Sequence, residues 1–349
     1  MERRDDQGAI RASTAELRAG LETSFREYAP LRRIIDVRRR ASLQRTSFAI
    51  EELDVYLDDG SKLELICKDL SRRALSDCAA KAKPAFLYDP LREIETYRSI
   101  LSRLDLGTPT LYGAIVHGPE NVYWLFLERA AGTELYKLGE METWHEVARW
   151  LASLHSSVAA LPDLRDRPAL YHLLDYNEEY FRLWMRRAHD VASCARGSVG
   201  AEIRAKIRQL ASRYEEVVNV LTKLPRTLIH GEFYPSNILV GQGGDGLRVC
   251  PVDWEMAAIG PGLLDVAALS AGKWSNAERR GIVLAYQEAA AQRGLSTVVG
   301  TDLGTALNCC RLHIAVQWLG WSLDWAPPPE HAQDWLGEAM HAAQELDLL

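Results

Sequence analysis

Between Leu228 and Val240 two apolar stretches flank the polar loop His230-Gly231-Glu232-Phe233-Tyr234-Pro235-Ser236-Asn237, which presents one carboxylate and one carboxamide. Sixteen residues beyond Asn237, another apolar stretch ends in Val252-Asp253-Trp254-Glu255. Phosphoryl transfer needs such a set. One carboxylate orients or deprotonates an acceptor hydroxyl, while an amide oxygen and a second carboxylate hold Mg²⁺ against phosphates. Mg²⁺ takes oxygen ligands and few of them from protein, which suits one Asn and one Asp. On this reading Glu232, Asn237 and Asp253 are the catalytic residues, and Asn237 and Asp253 are also the metal ligands. Glu255 stays open between a second metal contact and an ordinary strand-end carboxylate. His230 reads as a hydrogen-bonding residue of the loop rather than a proton shuttle.

This order of residues, His-Gly-acid, four residues, Asn, then a strand ending in Asp, resembles the aminoglycoside phosphotransferase family, which shares its fold with choline kinases and protein kinases. The segment Gly260-Pro261-Gly262-Leu263-Leu264-Asp265 resembles the family too, and the resemblance implies that Asp265 braces the catalytic loop. It covers about residues 35–345 with the motif order kept. It implies an α+β, protein-kinase-like bilobal fold, with a small strand-rich N-lobe and a larger, mostly helical C-lobe. Lys68 is then the strand lysine that holds the α- and β-phosphates, and Glu93 the helix glutamate that pairs with it. Leu127-Glu128-Arg129 through Gly132-Thr133-Glu134-Leu135 resembles the hinge, with Ile66, Glu128 and Ala130 on the nucleotide side. The implied cofactors are ATP or GTP and Mg²⁺, and the implied partner is a small-molecule acceptor. Two departures stand out. Glu232 replaces the family's aspartate, and one more methylene moves a carboxylate by up to about 1.5 Å, where misplacement near 1 Å can cost about 10²-fold in rate. The stretch 38–48, where the phosphate-covering loop belongs, has no glycine; Ser42, Arg45, Thr46 and Ser47 are its candidate phosphate contacts.

The elements that must position these residues can be read from periodicity. Ser13 with Glu16 forms a capping box ahead of a helix over 13–29, with Leu17, Leu21 and Phe25 on one face. Leu53, Val55 and Leu57 alternate with polar residues, Asp58-Asp59-Gly60 turns, and Leu63, Leu65 and Cys67 alternate on the return strand. Lys68 therefore shares the opposite sheet face with Ile66. Asp89-Pro90 starts a helix whose apolar stripe is Ile94, Tyr97, Leu101 and Leu104, bordered by Glu93. Residues 122–128 form an apolar strand, and beyond Gly132 the chain turns mostly helical. Two helix-like stretches over 171–222 are separated near 197–200, and Gly241–Gly246 reads as a hairpin loop. The expected division is residues 1–129 for the nucleotide-binding lobe and 130–349 for the catalytic and acceptor-binding lobe.

Composition narrows the function classes. The 349 residues carry 41 basic and 48 acidic side chains, a net charge of −7, which disfavours a nucleic-acid partner. No apolar run is long enough to span a membrane, and the N-terminus lacks the apolar core of a signal peptide. The six cysteines show no C-x-x-C spacing, and reduced thiols in the cytoplasm are the expectation. The acceptor side is expected at 171–190 and 313–349. Asp175, Glu178 and Glu179 lie near Tyr176, Tyr180, Phe181 and Trp184 in the first, and Trp318, Trp321, Trp325 and Trp335 lie in the second. Aromatic faces and carboxylates suit a cationic or sugar-like acceptor, while tryptophans at helical spacing equally suit a packed core. The Arg38–Arg40 run suits a solvated face or a phosphate clamp. Two further function classes stand beside the small-molecule kinase. One is a kinase-fold protein that sequesters a small ligand or nucleotide. The other, a protein kinase, is disfavoured because Asp253 is not followed by Phe-Gly.

Overall fold

A computed structural model describes residues 10–28, 32–42, 47–159, 171–194, 200–244, 246–321 and 333–349. The first half is built on one sheet. Helix α1 (Thr14–Tyr28) starts at the Ser13–Glu16 capping box, with Ser13 N–H donating to Glu16 at 2.7 Å and Glu16 N–H to Ser13 Oγ at 3.2 Å. Strands β1 (Ile34–Ala41), β2 (Ala49–Leu57) and β3 (Lys62–Asp69) follow, then the short helices α2 (Asp77–Ala82) and α3 (Pro90–Glu95), then β4 (Leu111–His117) and β5 (Val122–Glu128). The five strands pair antiparallel in the order β1-β2-β3-β5-β4. Strand alternation separates the two faces of this sheet. Leu53, Val55, Leu65, Cys67, Trp124 and Phe126 pack with Leu17, Leu21 and Phe25 of α1. Leu125 and Leu127 face the other way and join a second core with Ile94 and Tyr97 that runs on into the helical half. Lys68 pairs in register with Leu125, so the sheet delivers its side chain to this inner side.

Beyond Glu128 come β6 (Thr133–Glu134), α4 (Met141–Ala159), β7 (Leu174–Asp175), α5 (Glu178–Ser193), α6 (Ala201–Leu221), β8 (Arg226–Ile229), β9 (Ile238–Gly243), β10 (Gly246–Pro251) and β11 (Ala258–Pro261). Helices α7 (Leu263–Leu269), α8 (Asn276–Gln292), α9 (Leu303–Leu319) and α10 (Trp335–Glu345) complete the chain. Two three-stranded sheets, β10-β9-β6 and β7-β11-β8, frame the loops that carry the candidate chemistry. The β9–β10 hairpin closes with Gly243 opposite Gly246, as expected from the glycine pattern there. The architecture is a bilobal α+β fold, with a strand-rich part followed by a mostly helical one.

Three features differ from the sequence reading. Strand β1 was hidden because only Ile34 and Val37 of its eight residues are buried, the charged pattern of an edge strand. Two of its arginines pair with carboxylates of the sheet itself. Arg39 donates to Glu51 at 2.6 and 2.7 Å and to the carbonyls of Ala12 and Ile10, while Arg40 bonds Glu52 and Asp54. The helix expected from Asp89 begins there, with Asp89 Oδ1 accepting from Leu91 N–H, but continues past Glu95 as a π-helical turn over Thr96–Ile100. Among the described residues no helix is long and apolar enough to cross a membrane. Cys67, Cys250, Cys309 and Cys310 are free and buried, and Cys194 is free and exposed. Arg45, Thr46 and Trp325 lie outside the described residues.

Candidate active site

The loop after β8 is held by its backbone. Asp265, in the first turn of α7, accepts the His230 N–H on Oδ2 at 2.7 Å and the Gly231 N–H on Oδ1 at 3.0 Å. His230 is fully buried. Its Nε2–H donates to the Val252 carbonyl at 3.0 Å and its Nδ1 accepts the Glu232 N–H at 3.3 Å. That pair of partners requires a neutral ring, and burial pushes its pKa down against the pull of Asp265. Its place is structural. Gly231 has φ of 81°, and a Cβ there would lie 2.3 Å from the Met256 carbonyl oxygen. Only glycine permits this backbone and this approach. Replacing Asp265 by Asn keeps one acceptor but turns an amide N–H₂ toward a backbone donor. The expected loss is about 1–3 kcal/mol, read as a lower urea midpoint; an unchanged midpoint would show that the loop holds itself.

Asn237 closes the same loop. Its Nδ2 donates to the Glu232 carbonyl at 3.0 Å, which fixes the amide and leaves Oδ1 as the atom available to a cation. Val252 N–H donates to the Asn237 carbonyl at 2.9 Å, tying this loop to the one that carries Asp253. Asp253 has φ of 66° and ψ of 64°, a left-handed conformation that aspartate tolerates better than most residues. Its Oδ1 meets Lys68 Nζ at 2.5 Å, and Lys68 also meets Glu93 Oε2 at 2.7 Å. Glu93 Oε1 in turn accepts the Trp254 N–H at 3.2 Å. One lysine and one helix glutamate thus join the strand-rich half to the turn after β10. Burial alone would push the Lys68 ammonium down, but Asp253, Glu93 and Glu255 outweigh it and hold it charged. Burial likewise works against the Asp253 carboxylate, and Lys68 more than compensates, so its pKa is lowered.

Glu232 differs from Asp253 in having no such partner among the described residues. Burial, with the nearby Glu255 and Asp253 carboxylates, raises its pKa to about 8 against the opposing effect of Lys83 and Lys68. Glu255 does not stand open to a metal: its Oε2 meets Lys83 Nζ at 2.6 Å and its Oε1 accepts from Ser47 Oγ at 3.3 Å. Lys83 escaped the sequence reading, because Lys81-Ala82-Lys83 carries no local mark and the partner is 172 residues away. Of the nucleotide-side positions, Ile66 lies half-buried on the Lys68 face of β3, opposite Leu127. Glu128 spends its carboxylate on Arg248, at 2.5 and 2.9 Å, which ties the end of β5 to β10. Ala130 follows in the half-buried link to β6.

The groups that would hold a divalent cation are Asn237 Oδ1 and the Asp253 carboxylate, on adjoining loops. That set fits Mg²⁺, which keeps waters and takes phosphate oxygens. No group of three or more His, Cys, Asp or Glu among the described residues forms an all-protein cage.

The acceptor side departs further from expectation. Asp175, Glu178 and Glu179 pair with Arg226, Arg182 and Arg186. Trp318 and Trp321 do not share a helix face, because α9 ends at Leu319 and is capped by Gly320. Trp318 stacks on Trp335 at 5.0 Å and donates to Tyr234 Oη at 2.6 Å, whereas Trp321 stacks on Trp184 at 5.7 Å. Tyr176 and Tyr180 stack at 4.1 Å.

Fold and loops together define a kinase-like bilobal protein. A profile of the phosphotransferase enzyme family matches residues 51–298, more than half of the chain, and the chain belongs to that family. Solved structures agree on the fold. The GDP complex of aminoglycoside 2'-phosphotransferase-IIIa is 15% identical with a TM-score of 0.55, covering 93% of this chain and 96% of that one. Choline kinase LicA from Streptococcus pneumoniae is 13% identical with a TM-score of 0.54, covering 97% and 100%. A microcompartment-associated aminopropanol kinase is 15% identical with a TM-score of 0.57, covering 90% and 94%. No curated protein sequence matches the chain.

Proposed function

We propose that the protein moves the γ-phosphoryl group of ATP or GTP to a hydroxyl of a small molecule. The observation that carries this reading is the joining of Lys68, Glu93 and Asp253 at 2.5–2.7 Å beside the loop that bears Glu232 and Asn237. In this reading residues 1–129 bind the nucleotide and 130–349 bear the catalytic loops and the acceptor. Lys68, held by Glu93, grips the inner phosphates. Ile66, Glu128 and Ala130 border the nucleotide. Asn237 and Asp253 hold Mg²⁺, whose chemistry when bound is to neutralise the charge of the phosphates. Glu232 orients the acceptor hydroxyl and takes its proton. Catalysis is then mainly positioning and charge neutralisation. A small cationic or sugar-like alcohol is the acceptor class, in keeping with the aminoglycosides, choline and aminopropanol named for the structural neighbours, and a cytoplasmic setting fits the free thiols.

The test is a nucleotide-consumption screen with ATP and with GTP, against a panel of aminosugars, amino alcohols and macrolides, with Asp253→Asn as the blank. Acceptor-dependent consumption in the wild type and none in the blank is the expected result. The raised pKa of Glu232, which keeps it protonated at neutral pH in the free protein, favours a second reading, a nucleotide- or ligand-sequestering protein. That reading requires binding without consumption across the whole panel.

A further inference from the structure

Lys83 has no part in the mechanism above, yet only 5% of its side chain is exposed. It directly follows α2, where the chain turns extended and the Lys83 N–H donates to the Ala79 carbonyl. This segment is fastened to the residues that lead into β2: Ser76 N–H donates to the Ser47 carbonyl at 3.0 Å, and Phe48 bridges to Leu75. The ring of Phe48 then borders two ammonium groups at once, with Lys83 Nζ 5.3 Å and Lys68 Nζ 5.8 Å from its centroid. Lys83 Nζ lies 2.6 Å from Glu255 Oε2, two residues beyond Asp253 in the same turn.

A buried ion pair has a desolvation cost that a packed apolar pair would avoid, so its presence in a core calls for another use. Here the surroundings supply one. Lys68 is already engaged by two carboxylates, Glu93 and Asp253, and is suited to the inner phosphates. Lys83 is engaged by one, Glu255. Its charge lowers the pKa of both Glu232 and Asp253, so it lies within electrostatic reach of the base and of the metal carboxylate. Between those two groups the transferred phosphoryl must pass.

We propose that Lys83 is a second phosphate-binding cation, which exchanges Glu255 for the γ-phosphate when a Mg²⁺–nucleoside triphosphate binds and neutralises that group during transfer. In the transfer the acceptor oxygen forms a bond to the γ-phosphorus as the bond from that phosphorus to the β–γ bridging oxygen breaks. The electron pair stays on the nucleoside diphosphate and the hydroxyl proton goes to Glu232. Lys83 contributes charge only.

This inference rests on the kinase reading, and nucleotide binding separates the two. Calorimetry with Mg²⁺ compares a non-hydrolysable triphosphate with the matching diphosphate, in adenosine and in guanosine forms. Hydrogen bonds to charged groups predict that Lys83→Met weakens the triphosphate analogue about ten- to a hundredfold, leaving the diphosphate within about twofold. Lys68→Met should weaken both. Lys83→Met orphans a buried carboxylate, so Lys83→Met with Glu255→Gln serves as the second variant, with the same selective loss expected. Equal affinities in wild type and variant, or equal losses for both nucleotides, would overturn the role of Lys83 while leaving the kinase reading in place. A wild-type protein that binds none of the four nucleotides would overturn both.

Discussion

Asp253→Asn should abolish metal-dependent phosphoryl transfer, a loss of at least about 10³-fold, while the protein stays folded. Asparagine is the informative replacement because position 253 sits in the left-handed region, at φ of 66°. Asn tolerates that conformation as Asp does, whereas Ala would add backbone strain of about 1–2 kcal/mol and confuse a lost ligand with a lost loop. The amide also remains able to approach Lys68, so the ammonium is not left wholly without a neighbour. Calorimetry should show weakened Mg²⁺–nucleotide binding in step with the lost turnover. A folded variant with wild-type Mg²⁺–nucleotide affinity would remove Asp253 from the metal site.

Glu232→Gln should lower acceptor-dependent turnover by about 10²–10⁴-fold, the usual worth of a positioned acid or base, with Mg²⁺–nucleotide binding retained. The wild-type rate at limiting substrate should rise with pH toward about 8, because the raised pKa of Glu232 keeps the base protonated in the free protein below that value. A flat profile between pH 6 and 9 would exclude Glu232 as the base. Stability should move the other way. From the ordinary carboxylate value of 4.5 up to about 8, the folded protein holds a proton that the unfolded chain has released. Unfolding is therefore favoured progressively as pH rises through that window. Glu232→Gln removes this dependence, so its melting temperature should exceed that of the wild type by an amount that grows from pH 5 to pH 8 and then levels off. A constant offset would show that Glu232 titrates as an ordinary surface carboxylate.

What could be read from the sequence was whatever a local pattern encodes. The capping box at Ser13 follows from an acid three residues on, the Asp58–Gly60 turn from its glycine and the inner-face parity of Lys68 from a period of two, and Lys68 and Glu93 do meet at 2.7 Å. The β8-loop-β9 run was legible because its apolar flanks and polar centre lie in one stretch. Features made by distant partners were not. Lys83 gains meaning only from Glu255, and the arginines of β1 only from Glu51, Glu52 and Asp54 on the neighbouring strand. The aromatic spacing of α9 was misread for a related reason. Residues 318 and 321 would be near neighbours on a continuing helix, but α9 ends at Leu319, so Trp318 stacks on Trp335 of α10 and Trp321 on Trp184 of α5. The carboxylates at 175, 178 and 179 looked available to an amine until arginines of α5 and β8 claimed them.

The contact at Gly231 bears on how an active site accommodates a longer side chain. Main chain touches main chain there, with no room for even one carbon between Gly231 and the Met256 carbonyl. The loop of Glu232 and the turn of Asp253 therefore cannot close further on each other at this point. The extra methylene of Glu232 is not taken up by backing the whole loop away, because the His230 and Gly231 N–H bonds to Asp265 hold that loop in place. It must be absorbed by the torsion angles of that one side chain, folding the carboxylate back toward where a shorter residue would hold it. Interchange of Glu and Asp at this position is thus a change of side-chain shape inside a fixed frame, and shortening the residue should leave the two loops where they are.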